Sequence, residues 1–156
     1  MTESQPLAEL RASNGRRFFA WGTLVGLGGL LVAVAVTQPP APGWQVFLVV
    51  LGAICVAVAE RLRRATAQPI LLFADGLRYG DGELIAPMSD IAKVERGVFA
   101  FKPSNGFVLH LSQPQPRRWA PGLWWRYGKR VGVGGVVSSG PAKYMAEQIA
   151  LRMAGV

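Results

Sequence analysis

The sequence predicts a membrane α-helical hairpin followed by a soluble α+β domain, and three observations carry that prediction. No Asp, Glu, Lys, Arg or His occurs anywhere from Phe18 to Ala59. Short alternating apolar runs punctuated by Gly and Asp begin near Ile70, and the chain closes on a stretch of helical period. With 156 residues, 51% hydrophobic and 17% charged, there is room for one modest core beside a membrane segment and for no second soluble domain.

The run FFAWGTLVGLGGLLVAVAVT, residues 18 to 37, is long enough as a helix at about 1.5 Å per residue to cover a ~30 Å hydrocarbon core. A second run, residues 44 to 61, is shorter, but the stems of Arg61, Arg63 and Arg64 can snorkel to the interface. Between them QPPAPG, residues 38 to 43, breaks the helix and carries no charge, so it predicts a tight turn. Phe18, Phe19 and Trp21 at one end and Trp44 at the other fall where interfacial aromatic belts are needed.

Arg11, Arg16 and Arg17 precede the first run and Arg61, Arg63 and Arg64 follow the second, so the positive-inside rule places both termini in the cytoplasm. Residues 1 to 17 are then a cytoplasmic flank and 62 to 68 a linker. Ala33-Val34-Ala35 presents a signal-peptidase-like site, but the apolar run is long for a signal peptide and lacks a polar stretch before that site. Gly22 and Gly26 make a GxxxG pair, and Gly52 offers a small residue on the second helix, so these three are the expected packing positions. From Phe18 to Ala59 neither run holds an acidic or basic group, which argues against an ion or proton pathway.

Six strands and a helix are expected in the soluble part. Ile70 to Phe73 and Leu77 to Tyr79 flank Asp75-Gly76, a dipeptide suited to a type I′ hairpin, and Glu83 to Ala86 extends the meander. Ile91 to Lys102 reads as a longer strand with Phe99 and Phe101 on one face, and Phe107, Leu109 and Leu111 alternate with Val108, His110 and Ser112. A long basic aromatic loop follows. Lys129 to Val137 resumes strand character, with glycines that permit close backbone approach. The last helix, from about Pro141 to Ala154, is capped by Ser139 or Gly140 and collects Ala142, Met145, Ala146, Ile149, Ala150 and Met153 on one face.

The stretches LLFADGLRYGDGELIAPMSDIAKV and RVGVGGVVSSGPAKYMAEQIALRMAG together resemble bacterial pleckstrin-homology-like (PH-like) domains that follow two membrane helices. The likeness covers residues 69 to 156. It implies a bent antiparallel sheet or partly open barrel closed by a C-terminal helix, a binding module in the inner membrane. Phosphoinositide-binding members carry basic residues in the first hairpin turn, where this chain has Asp75, which argues against inositol-phosphate recognition. An OB-like barrel is the fold alternative, less suited to a covering C-terminal helix.

Chemistry is poorly provided for. The one cysteine, Cys55, lies within the second apolar run and the one histidine, His110, on a strand, so neither a metal cluster nor a nucleophile-base pair is expected, and no cofactor. Gly132 to Val137 fails the dinucleotide fingerprint at its last position. Gly122 to Lys129 fails the phosphate-loop spacing, and Arg130 replaces its Ser or Thr.

The net charge of +8 beside a membrane segment points to anionic headgroups rather than nucleic acid. Beyond the helix flanks, RRWAPGLWWRYGKR, residues 117 to 130, holds five basic groups and no acid. Arg117, Arg118, Trp119, Trp124, Trp125, Arg126, Tyr127, Lys129 and Arg130 are the candidate membrane- or partner-binding residues. The expected function is a non-enzymatic, membrane-anchored adaptor or assembly factor that binds a partner protein, an anionic membrane surface or both. The alternative is an auxiliary membrane subunit whose hairpin is the binding element.

Overall fold

The computed structural model describes residues 5–80, 82–97 and 103–155. Two long apolar helices, two antiparallel sheets and a C-terminal helix form an α+β structure in the order β1 (Ala8–Leu10), α1 (Asn14–Thr37), α2 (Pro42–Ala65), β2 (Ile70–Phe73), β3 (Gly76–Tyr79), β4 (Glu83–Pro87), β5 (Ile91–Glu95), β6 (Phe107–Ala120), β7 (Trp124–Val133) and α3 (Ser139–Met153). The described residues thus hold seven strands, where six were expected.

Helices α1 and α2 each run 24 residues and each contains an 18-residue stretch of mean hydropathy 2.1, little of which is covered by the rest of the chain. By length and composition both are able to cross a membrane. Helix α2 is longer at both ends than its sequence promised. Pro42 opens it, because a proline in the first turn gives up a donor that would be unpaired anyway. At its other end it continues into the expected linker, residues 62 to 68, as far as Ala65. The turn is fastened by Gln45, whose Nε2 donates to the Ala35 carbonyl at 3.0 Å, one of the carbonyls near the end of α1.

The helices meet at Gly28 and Gly52. A Cβ on Gly28 would stand 2.8 Å from the Gly52 carbonyl oxygen, and one on Gly52 2.8 Å from that of Gly28, so only glycine allows the backbones this close. Gly52 is where the small-residue pattern put it. Gly22 and Gly26 are not: nothing lies within 4 Å of a Cβ on either, because both turn away from α2. Steps of three and four residues from Gly28 to Leu31 and Val32, which meet Gly52, carry the contact instead.

The N-terminal segment is a working part of the sheet domain and more than the flank it was expected to be. Strand β1 pairs antiparallel with β2, Leu10 opposite Ile70 and Ala8 opposite Leu72, and Leu10 is wholly buried. Ala12 bridges to Val137. The helix hairpin is therefore inserted between two paired strands, and the domain begins before it.

One sheet has the order β1-β2-β3-β4 and the other β5-β6-β7. Strand β2 and β3 join through Ala74 and Asp75. Neither has positive φ, since Asn105 is the one such non-glycine among the described residues, so the expected type I′ turn is not formed. Strand β5 stops at Glu95. The proposed continuation through Phe99 and Phe101 lies outside the described residues.

The basic aromatic segment is no loop: β6 extends to Ala120 and pairs with β7 beyond it, the register slipping between His110 and Gln115 and again before Arg118. Pro114 and Pro116, which lack a donor, sit in this slipped part, where no ladder on the other side of β6 needs one. Strand β7 ends at Val133, so Val136 and Val137 are not part of it. The core is shared by both sheets and by Ala142, Met145, Ala146 and Ile149 of α3, which packs over β1 and β5. Ala150 and Met153 are exposed, and the N-cap is Ser138, without a side-chain cap bond.

Candidate functional site

The long β6–β7 hairpin places seven of the nine candidate residues opposite or beside one another. Trp119 faces Trp125 in the ladder, Arg118 faces Arg126, and Ala120 faces Trp124. Strand alternation then gives the hairpin two faces of different character.

The inner face joins the two sheets. Trp124 is 2% exposed and packs its ring 5.8 Å from that of Tyr79, so it belongs to the core and not to the surface expected for it. Arg126 is also buried, with its guanidinium 5.8 Å from the Trp124 ring. Its Nη1 donates to the carbonyls of Leu84 and Ile85 on β4, at 3.0 and 2.8 Å, and its Nε to Pro116 at 2.8 Å. One side chain thus does for the edge of β4 what a neighbouring strand would do. Burial pushes the Arg126 pKa below its ordinary value. Beside it Arg118 makes a two-pronged ion pair with Glu83, at 2.7 and 3.0 Å, and that guanidinium holds the Glu83 carboxyl below its ordinary range.

The outer face is the exposed one. Arg117 lies over the Tyr127 ring at 4.6 Å, a cation–π contact. Trp119 and Tyr127 are each 61% exposed, and Lys129 and Arg130 are exposed as well. Trp125 is half-buried because Gly128, at φ +56°, bends β7 and lets the indole lie on Gly132, where a Cβ would come within 2.3 Å of the ring. The glycines of this strand do permit a close approach, and what approaches is Trp125. At the tip, Gly122 packs on Leu62 and Thr66 at the end of α2, with a Cβ there 3.3 Å from the Leu62 side chain. Comparison with protein-family models, with curated proteins and with solved structures finds no match.

His110 Nε2 lies 3.0 Å from Glu95 Oε2, and Lys93 also pairs with Glu95. Among the described residues no three His, Cys, Asp or Glu side chains come together to hold a metal ion. Sequence reasoning missed one place of interest: a cavity of about 370 Å³ at the base of the helix hairpin, lined by Asn14, Arg17, Phe18, Trp21 and Arg63. Its arginines and aromatics were read separately, as topology flank and interfacial belt. Nothing in their spacing along the chain says that residues 17 and 63 meet.

Proposed function

We propose that this chain is a non-enzymatic, membrane-anchored adaptor. Its hairpin crosses the inner membrane twice with both termini in the cytoplasm, and its PH-like domain presents the outer face of β6–β7 to the anionic membrane surface. The observation that carries this reading is the packing of Gly122 on Leu62 and Thr66. It ties the tip of the aromatic hairpin to the end of α2, next to Trp119 and within a turn or two of the last charge-free residue, Ala59. A four-stranded and a three-stranded antiparallel sheet covered by a C-terminal helix support the PH-like reading. Trp and Tyr favour the headgroup level, and each cation near an anionic leaflet gains about 1 kcal/mol.

The test places an environment-sensitive fluorophore at Trp119→Cys in a Cys55→Ala chain, reconstituted in vesicles with and without phosphatidylglycerol. A label at Tyr144→Cys, on the exposed face of α3, is the control. The label at position 119 should be shielded from aqueous quenchers in anionic vesicles, and progressively less so as salt rises. Equal quenching at the two positions would sink the lipid-facing reading and leave the outer face to a protein partner.

Gly22 and Gly26 favour a second reading, because they pack on nothing among the described residues and leave a small-residue face of α1 open. In that case the hairpin is the binding element and the domain buttresses it. Exchanging residues 18 to 59 for an unrelated hairpin separates the two, since only the second reading predicts loss of partner capture.

A further inference from the structure

We infer that the cavity at the base of the helix hairpin is a binding site for one anionic phospholipid, its phosphate held by Arg17 and Arg63 and its glycerol and upper acyl chain lying against Phe18 and Trp21. The inference rests on the membrane-spanning reading above and adds to it a site of its own.

The cavity is divided between two chemistries. On one side are Arg17, Arg63 and Asn14, and on the other the rings of Phe18 and Trp21, 5.9 Å apart. Arg17 is held in position by a bond from its Nη2 to the Arg63 carbonyl at 2.9 Å, which ties the start of α1 to the end of α2. That bond leaves its remaining N–H groups available, and among the described residues no carboxylate pairs with it. A partly covered arginine with no carboxylate partner among the described residues is the part of the arrangement that an anion completes.

Arg63 shares Glu60 with Arg64, through bonds of 2.7 to 2.8 Å. A single carboxylate thus stands against Arg16, Arg17, Arg61, Arg63 and Arg64, and the first turn of α1 holds no acid. The surplus is positive at the cavity mouth. Arg17 immediately precedes the charge-free stretch that begins at Phe18, and Arg63 lies one turn beyond its end at Ala59, so both arginines sit at the headgroup level of the spanning reading. Phe18, 72% exposed, marks where an acyl chain would begin. A soluble phosphate would use only the basic half of this cavity; a phospholipid uses both.

The experiment is lipid counting by native mass spectrometry on the full chain in a nonionic detergent. Phosphatidylglycerol, phosphatidylcholine of the same acyl chains, and inorganic phosphate are titrated separately. One phosphatidylglycerol should be retained, in preference to phosphatidylcholine and undisturbed by millimolar phosphate. Arg17→Gln with Arg63→Gln should weaken it about tenfold, while Lys143→Gln, at an exposed position of α3, should leave it unchanged. Asn14→Glu guards against a misfolded double variant. A carboxylate in the first turn favours the helix yet repels the phosphate, so lipid retention should fall while thermal stability holds or rises. Equal retention of the two lipids, retention unchanged in both variants, or displacement by inorganic phosphate would each overturn the site. Resistance of the chain to alkaline carbonate extraction tests the spanning reading separately, and the count in detergent decides the lipid site whichever way that falls.

Discussion

Gly28 and Gly52 stand back to back where α1 crosses α2, each so close to the other's carbonyl oxygen that an added Cβ would lie 2.8 Å from it. Gly28→Ala or Gly52→Ala should therefore separate the helices locally and cost about 1–3 kcal/mol, as overpacking of a tight contact does. Gly22→Ala and Gly26→Ala meet open space and should be neutral or gain up to about 1 kcal/mol from helix propensity. Unfolding of the four variants in one detergent checks the difference in sign.

Arg126 closes the gap between the sheets. Replacing it by Ala leaves the carbonyls of Leu84, Ile85 and Pro116 without its three bonds in a buried place, and should cost about 2–3 kcal/mol. Arg126→Lys should recover only a part, because a single ammonium lacks the planar fork that reaches β4 and β6 together. By contrast Arg117→Ala breaks only an exposed cation–π contact and should cost no more than about 1 kcal/mol. Thermal unfolding of the three variants gives the order.

What could be read in the sequence follows from the range of the signals. The charge-free stretch from Phe18 to Ala59, the meander from Ile70 to Ala86 and the apolar face of α3 are local patterns, and each produced an element close to its expected place. Strand β1 has three residues, Ala8, Glu9 and Leu10, too short for any period, and its partner lies beyond fifty residues of helix hairpin. The outer half of β6 was hidden by Pro114, Pro116 and two register slips, which erase strict alternation. In the candidate surface, residue type alone could not separate Trp124 from Trp119 or Arg126 from Arg117. Which way each points depends on the register of β6 against β7, fixed by the bend at Gly128 and by the tip against α2.

Glu95 should make the acid limb of stability steeper. Its carboxyl is held below its ordinary 4.5, at about 2, first by the bond to Lys93 and then by His110. A carboxyl with a depressed folded-state pKa contributes stability above its unfolded pKa and loses it as the pH falls through the folded value. The contribution of Glu95 is thus whole at neutral pH and disappears between about pH 4.5 and 2. Asp75 and Glu83, lowered by Arg78 and Arg118, titrate in the same direction. The readout is therefore the difference between the native chain and Glu95→Gln: their midpoint temperatures should converge as the pH drops toward 2.

The pairing of β1 with β2 decides where the sheet domain can be cut. A fragment of residues 66 to 156 lacks Leu10, a wholly buried core side chain, and leaves the β2 edge of the four-stranded sheet without a partner. It should be aggregation-prone and lose native-like cooperativity. Leu10 and Ile70 are direct partners, and the helix hairpin leaves and re-enters the domain at neighbouring points, joined by the Arg17 bond to the Arg63 carbonyl. Replacing residues 14 to 65 with a short Gly-Ser connection should therefore keep β1 in register at little cost in loop closure. The joined chain also loses Ala65 and the Leu62 contact under Gly122, so it should be less stable than the parent yet still unfold cooperatively. Leu10→Asp in the joined chain should abolish that cooperative transition, by placing a carboxylate in the core. A joined chain that unfolds no more cooperatively than fragment 66 to 156 would mean that β1 adds nothing, and the domain would then be bounded by the helices after all.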